Sequence, residues 1–258
     1  MQQNRKIYFM AQIISILNHK GGVGKTTSVV SIGAGLHYLG KRVLLVDLDP
    51  QANLTLHLLG ESDYQTIYGA LRSEYSLPIV SVNPGFDIVP STLDLSAAEL
   101  ELQSEPGREY LLRELLHPHM KDYDYIMIDC PPSLGLLTVN ALSTSTTIII
   151  PVECSAFSLK GMTKLFDIIN KVKQRLNKKL KAHKVLITKY DGRKTIQKQI
   201  AERIQLQQLS KVFSTIIRTN VALEEATMNQ CTIFDLDKKS SGAIDYMKIC
   251  EEIVTDNI

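Results

Sequence analysis

Four cysteines in 258 residues, Cys130, Cys154, Cys231 and Cys250, stand far apart and without metal-ligand spacing. That excludes a disulfide framework and a zinc or cluster site, and implies reduced thiols in a cytoplasmic protein. Long apolar runs are missing too. Thr146 to Val152 is typical of those present, so nothing is long enough to span a bilayer. No secretory signal opens the chain, because Met1 to Phe9 is polar and basic without an extended apolar centre. Met10-Ala11-Gln12 would make a natural start before the first strand, so residues 1–9 are expected to form a disordered extension. No repeat, linker or low-complexity tract divides the remainder. With 44% apolar residues and a formal charge of +2, residues 10–258 are expected to form one large domain.

What the chain does have is Lys20-Gly21-Gly22-Val23-Gly24-Lys25-Thr26-Thr27. The octet follows an apolar run, Ile13 to Leu17, expected to be a buried strand, and precedes Ser28 to Leu39, expected to be a helix. Strand, glycine-rich loop and helix in that order form the setting of a phosphate-binding loop. The glycines let backbone N–H groups close on an anion without Cβ clashes, and the helix N-terminus adds partial positive charge. Lys25 stands where a side chain reaches β- and γ-phosphates, and Thr26 where a hydroxyl ligates Mg²⁺. The usual first glycine of such loops is replaced by Lys20. A lysine at the loop mouth serves no evident folding purpose, although a solvated loop lysine is the plain alternative.

Acidic residues close two further strands. Val43 to Val46 runs into Asp47-Leu48-Asp49-Pro50-Gln51, and Tyr123 to Asp129 ends in an acid before Cys130-Pro131-Pro132-Ser133. Carboxylates at the C-terminal ends of strands lie where open α/β sheets bind ligands. Of Asp47 and Asp49, one could hold Mg²⁺ through water and the other could position an attacking water. Asp129 has the placement of a carboxylate that reaches Mg²⁺ or its waters. Further strands are expected at Phe86 to Pro90, Thr146 to Val152, Val185 to Thr188 and Val212 to Ile217. A short helix or turn is expected at Asn53 to Gly60, and helices at Thr66 to Leu71, Leu93 to Leu102, Gly107 to Leu116, Ser158 to Leu176 and Thr195 to Leu206. A helix between most strand pairs predicts an α/β fold, a mostly parallel sheet with helices on both faces.

Charge is segregated along the chain. Residues 160–211 hold fifteen Lys/Arg against three acids, a local excess of +12 against −10 elsewhere. Such a segment suits a face that meets a polyanion, though solvated helix faces would give the same count.

The octet resembles that of the deviant Walker A family, which includes ParA, MinD and the nitrogenase iron protein. The resemblance implies a P-loop ATPase using ATP and Mg²⁺ as a sandwich homodimer. It assigns ATP binding to Lys20, Gly21, Gly22, Val23, Gly24, Lys25, Thr26 and Thr27. Lys20 would be the lysine that crosses to the partner subunit's nucleotide, and Lys25 the one that acts on its own. VLLVDLDPQ at 43–51 resembles the second ParA-type motif, which makes Asp49 the residue that orients water and places Asp47 near the metal. Asp129 to Gly135, DCPPSLG, is similar to the segment that responds to the γ-phosphate near the dimer interface. IPVECSAFSLKG at 150–161, including Phe157 and Gly161, resembles the next strand and loop.

Three features favour the DNA-partitioning branch. Tyr190-Asp191-Gly192-Arg193 resembles the YDGR of ParA proteins, whose arginine touches DNA. The basic segment surrounds it, with Arg193, Lys194, Lys198 and Arg203 within about three helical turns. Contacts of this kind go to phosphates, so binding should be nonspecific and salt-sensitive. The C-terminal stretch, with Asp245, Glu251, Glu252 and Asp256, lacks the basic face of a membrane-targeting helix. The chain departs from the ParA pattern at residues 217–223, where Arg218 is displaced by one position and Ala222 replaces an expected arginine; either Arg218 compensates or the DNA surface uses Lys238 and Lys239 instead. Ser240 or Ser241 should cap the last helix. The expected protein is a short ParA form: a nucleoid-associated ATPase that binds DNA nonspecifically when dimeric with ATP and is released by a ParB-like partner, without a membrane. The alternatives are a MinD-like membrane-recruited positioning ATPase and a metabolic ATP-dependent enzyme.

Overall fold

The computed structural model describes residues 10–155, 158–206 and 211–257. The expected extension at residues 1–9, and Phe157, lie outside them. Eight strands form one sheet: β1 Gln12–Ile16, β2 Val43–Asp47, β3 Val80–Asn83, β4 Phe86–Val89, β5 Tyr125–Asp129, β6 Thr147–Glu153, β7 Ala182–Thr188 and β8 Lys211–Val212. Their order is β3-β4-β2-β5-β1-β6-β7-β8. Every neighbouring pair is parallel except β3–β4.

The helices are α1 Lys25–Tyr38, α2 Asn53–Leu59, α3 Ile67–Leu71, α4 Ala98–Glu101, α5 Leu111–Leu116, α6 Leu136–Thr144, α7 Ser158–Arg175, α8 Thr195–Leu206, α9 Val221–Met228, α10 Ile233–Leu236 and α11 Ser241–Thr255. They divide between the two faces. Because successive strand residues point to opposite sides, Leu44, Val46, Ile126 and Ile128 join one core with α3 to α8. Leu45, Met127 and Ile149 join the other with α1, α2 and α9 to α11. Central strands covered on both sides are apolar almost throughout, and all five residues of both β2 and β5 are buried.

Three expectations need adjustment, and one strand was not expected. The helix expected at Leu93–Leu102 is broken: a 3₁₀ turn at Leu93–Ala97, then α4, then a second 3₁₀ turn at Leu102–Ser104. The helix expected at Gly107–Leu116 opens with a 3₁₀ turn at Arg108–Tyr110 before α5. The strand expected at Val212–Ile217 is curtailed to β8, because Ser214 and Thr215 donate their N–H groups to the Glu252 carboxylate at 3.0 and 2.9 Å instead of to a strand. Strand β3 had no sequence counterpart. It is a four-residue edge strand whose Val-Ser-Val-Asn is never fully buried, turned back onto β4 at Pro84-Gly85, where Gly85 has φ +80°.

Helix α11 lies along α1. Tyr246 and Ser28 share a buried hydroxyl–hydroxyl bond of 2.9 Å, and Ser240 caps α11 by accepting from the Ala243 N–H at 3.1 Å. Gly35 permits the approach, since a Cβ there would stand 2.6 Å from Cys250 Sγ and 3.2 Å from Phe234 Cζ. In an open helix, Gly→Ala stabilises by about 1 kcal/mol. Here overpacking outweighs propensity. Gly35→Ala should therefore lower stability by about 1 kcal/mol or more, read as a reduced urea midpoint; an unchanged or raised midpoint would contradict this packing.

Candidate functional site

The sheet's C-terminal edge opens onto a cleft of about 890 Å³ lined by Gly21, Gly22, Gly24, Lys25, Thr26 and Thr27 on one side. Gly22 and Gly24 take φ of +72° and +86°, conformations that favour glycine. A Cβ on Gly21, Gly22 or Gly24 would meet no protein atom within 4 Å, so the loop faces a space it leaves open. Helix α1 begins at Lys25 with neither a side-chain cap nor an acidic residue in its first turn. Its N-terminal charge is thus uncompensated from within, the condition that favours an anion.

The loop is pinned from behind at two points. Asn18 donates from Nδ2 to the Pro151 carbonyl at 2.7 Å and accepts the Lys20 N–H at 3.0 Å. Thr188, at the end of β7, donates its hydroxyl to the Val23 carbonyl at 2.8 Å. Val23 itself is buried, so it shapes the loop and presents no side chain to the cleft.

The acidic side is fixed by strand register. In the β2–β5 pairing Asp47 stands opposite Asp129, and both are fully buried. Asp47 Oδ2 accepts from the Thr55 N–H at 2.8 Å and its hydroxyl at 2.7 Å, and Oδ1 accepts the Asp49 N–H at 3.2 Å. Burial still pushes the Asp47 carboxyl up, to about 7. Asp129 is also raised well above the usual range, first by burial and then by the charge of Asp47, with Thr26 and Lys25 opposing. Asp129 Oδ2 accepts the Thr26 hydroxyl at 2.6 Å, while its buried Oδ1 has no donor among the described residues. Asp49 lines the cleft, with Oδ1 on the Gln51 N–H at 3.0 Å and its carbonyl on Ser91 Oγ at 2.9 Å.

An orphaned carboxylate oxygen beside a threonine hydroxyl fits a hard divalent cation and its waters. Among the described residues no group of three or more His, Cys, Asp or Glu side chains could hold a metal alone. That pattern suits Mg²⁺, which takes few protein ligands and completes its shell with phosphate and water.

The two lysines of the octet are placed differently. Lys25 is buried at the cleft floor. Lys20 is not among the lining side chains; its Nζ donates to Glu153 Oε2 at 3.1 Å and Ser155 Oγ at 3.4 Å. The four expected DNA-contacting residues also divide. Lys194 and Arg218, both exposed, line the same cleft, together with Thr188, Lys189, Thr219 and Asn220. Arg218 is held by Asp245 in a two-pronged pair at 2.9 and 2.7 Å. Arg193 and Lys198 lie outside the cleft, both exposed. Arg193 grips Asp191 at 2.9 and 3.0 Å and holds that carboxyl down at about 2.

Asn18, Thr55, Thr188 and Tyr246 escaped the reading of the sequence. Thr188 alone carried a signal, since it ends a parallel strand on the ligand-binding edge.

The pH response of the acid pair follows from its burial. Between the ordinary carboxyl value of 3.8 and about 7, the unfolded chain has released the Asp47 proton while the folded chain retains it. Stability of the nucleotide-free protein should therefore fall as pH rises through that window and level off above it. Asp47→Asn should flatten the decline in urea titrations; a slope equal to that of the parent would contradict the assignment.

Comparison with known proteins agrees with this geometry. The AAA domain family matches residues 11–182. The chain is 40% identical over 252 residues to the sporulation initiation inhibitor protein Soj of Bacillus subtilis, covering 96% of this chain and 100% of Soj. It is 39% identical to the chromosome partitioning protein ParA of Myxococcus xanthus, covering 95% and 88%. Among solved structures, cobyrinic acid a,c-diamide synthase of Mycobacterium smegmatis with bound ATP analog and magnesium superposes with TM-score 0.83 at 32% identity, covering 95% and 94%. A putative plasmid partition protein of Borrelia burgdorferi bound to AMPPNP superposes with TM-score 0.81 at 27% identity, covering 96% and 100%. Matched by the AAA domain family model over residues 11–182 and about 40% identical to Soj and ParA along nearly its whole length, the chain belongs to the ParA/Soj family of P-loop nucleoside triphosphatases.

Proposed function

We propose that this protein is a DNA-partitioning ATPase whose two copies enclose ATP·Mg²⁺ and bind DNA without sequence preference while so joined. The observation that carries the reading is the disposition of the two loop lysines. Lys25 is committed to the cleft floor, whereas Lys20 is not a lining residue and keeps its ammonium on Glu153, at the cleft wall. A cation so placed serves a phosphate on another chain more readily than its own.

In this reading the P-loop N–H groups and Lys25 bind the phosphates, and Thr26 and Asp129 hold Mg²⁺. The ion, when bound, neutralises charge on the transferring phosphoryl oxygens. Asp49 orients the attacking water, and Lys20 of the second chain adds charge at the γ-phosphate. Asp47 supports the site from beneath by anchoring the start of α2 through Thr55 and the Asp49 backbone. Arg193 and Lys198, exposed on the basic segment, meet DNA phosphates. Lys194 and Arg218 serve the nucleotide's far end instead. A ParB-like partner would stimulate hydrolysis and so release the dimer from DNA. The protein would then reside in the cytoplasm, on the nucleoid.

The membrane alternative is disfavoured by α11. Its apolar side, Ala243, Tyr246, Ile249, Cys250 and Ile253, is already buried in the core and not free to lie on a bilayer surface. The metabolic alternative has the likeness to the diamide synthase in its favour. Hydrolysis that is stimulated by DNA and a partner, in the absence of any acceptor substrate, would set it aside.

Two measurements test the assignment. In single-turnover assays Lys20→Ala should bind ATP yet lose hydrolysis by about 10³-fold, and Asp49→Ala should lose about 10²-fold; unaffected rates would remove those roles. In DNA titrations with ATP, ADP and no nucleotide, only the ATP form should bind tightly. Arg193→Ala should reduce the salt slope by about one. Equal binding in all three nucleotide states would overturn the ATP-gated dimer.

A further inference from the structure

Resting on the reading of Lys20 as the lysine that crosses between chains, we propose that Glu153 is its positioning residue. It holds the ammonium on the chain's own sheet, and the two-chain site forms only when both copies of this ion pair open.

Lys20 is tied to β6 at both ends. Its backbone N–H reaches Asn18 Oδ1 at 3.0 Å, and Asn18 in turn reaches the Pro151 carbonyl at 2.7 Å. Its ammonium lies on Glu153 Oε2 at 3.1 Å, with Ser155 Oγ as a second acceptor at 3.4 Å. Glu153 is the last residue of β6, paired in register with Thr188 of β7, so a regular strand end carries it. It is also part of the cleft wall. A lysine bound at this point cannot extend toward a second chain. Crossing requires it to exchange one carboxylate for the phosphate oxygens of the partner chain's nucleotide.

The pair is built to open. The two side chains retain 42% and 34% of their exposure, and a partly solvated ion pair contributes little and is screened by salt. One such pair is worth about threefold in an equilibrium constant. Because a two-fold dimer opens two pairs, the effect on dimerisation should reach about tenfold. Glu153 thereby sets the nucleotide and protein concentrations at which chains join, while remaining outside the chemistry.

The test is sedimentation velocity without DNA, in AMPPNP and Mg²⁺, for the parent chain, Glu153→Gln and Glu153→Ala. Both variants should dimerise at about tenfold lower protein concentration with unchanged melting midpoints, and the gap should narrow at high salt, where the parent's ion pair is already screened. Dimerisation equal to the parent's, or weaker, would overturn the role of Glu153 while leaving the dimer intact. If neither parent nor variants dimerise at saturating AMPPNP, the crossing-lysine reading itself fails and this inference falls with it.

Discussion

The pairing of β2 with β5 sets two carboxylates side by side where no water reaches them. Asp47 and Asp129 are register partners and both fully buried, an arrangement that favours neutral forms until positive charge arrives. Much of the surrounding structure answers to that constraint. Thr55 and the Asp49 N–H satisfy one carboxylate, Thr26 takes half of the other, and the remaining oxygen is left without a protein donor. Lys25 and the start of α1 bring compensating charge without touching that oxygen. The nucleotide-free chain therefore stores an electrostatic demand at the point where a metal-bound triphosphate would supply the cation.

The location of this site was legible because it is carried by contiguous residues. Lys20 to Thr27, Asp47 to Gln51 and Asp129 to Gly135 each keep their meaning within a few positions, and strand ends in a parallel sheet converge on one edge. The parallel sheet was legible for a related reason: Val43–Asp47 and Tyr125–Asp129 are apolar runs too short for helices and too continuous for one-sided strands. What failed to show depended on distant partners. Nothing near residue 214 announces that Glu252 will claim its N–H and that of Thr215 and cut β8 short. Nothing near residue 188 announces a bond to Val23. Nothing near Arg218, an exposed cation, announces that Asp245, 27 positions away, will hold it beside the cleft. Strand β3 was missed because a half-exposed edge strand of four residues has too weak a pattern to register.

The basic segment illustrates how one charge count can cover separate duties. Within it, Lys194 lines the cleft and Lys184 is nearly buried on Asp256 at 2.6 Å, stacked over the Phe213 ring at 4.5 Å. Arg193 and Lys198, like Lys194, remain exposed, so of these cations only Lys184 is taken up by the fold. A net excess along the sequence thus overstates the charge available to a polyanion, because part of it is spent within the fold.

The bond between Ser28 and Tyr246 joins residues 218 positions apart. It has a consequence for how the molecule comes into being on the ribosome. Helix α1, which presents the phosphate loop, lacks its covering partner until α11 has emerged from the exit tunnel, after most of the sheet has been synthesised. Nascent chains thus expose the side of α1 that carries Ser28 and Gly35, where Tyr246 and Cys250 of α11 later pack, and await the final stretch of translation to bury it. A prematurely terminated product lacking α11 leaves that surface open, which marks it for chaperones or proteolysis before it can compete with intact copies.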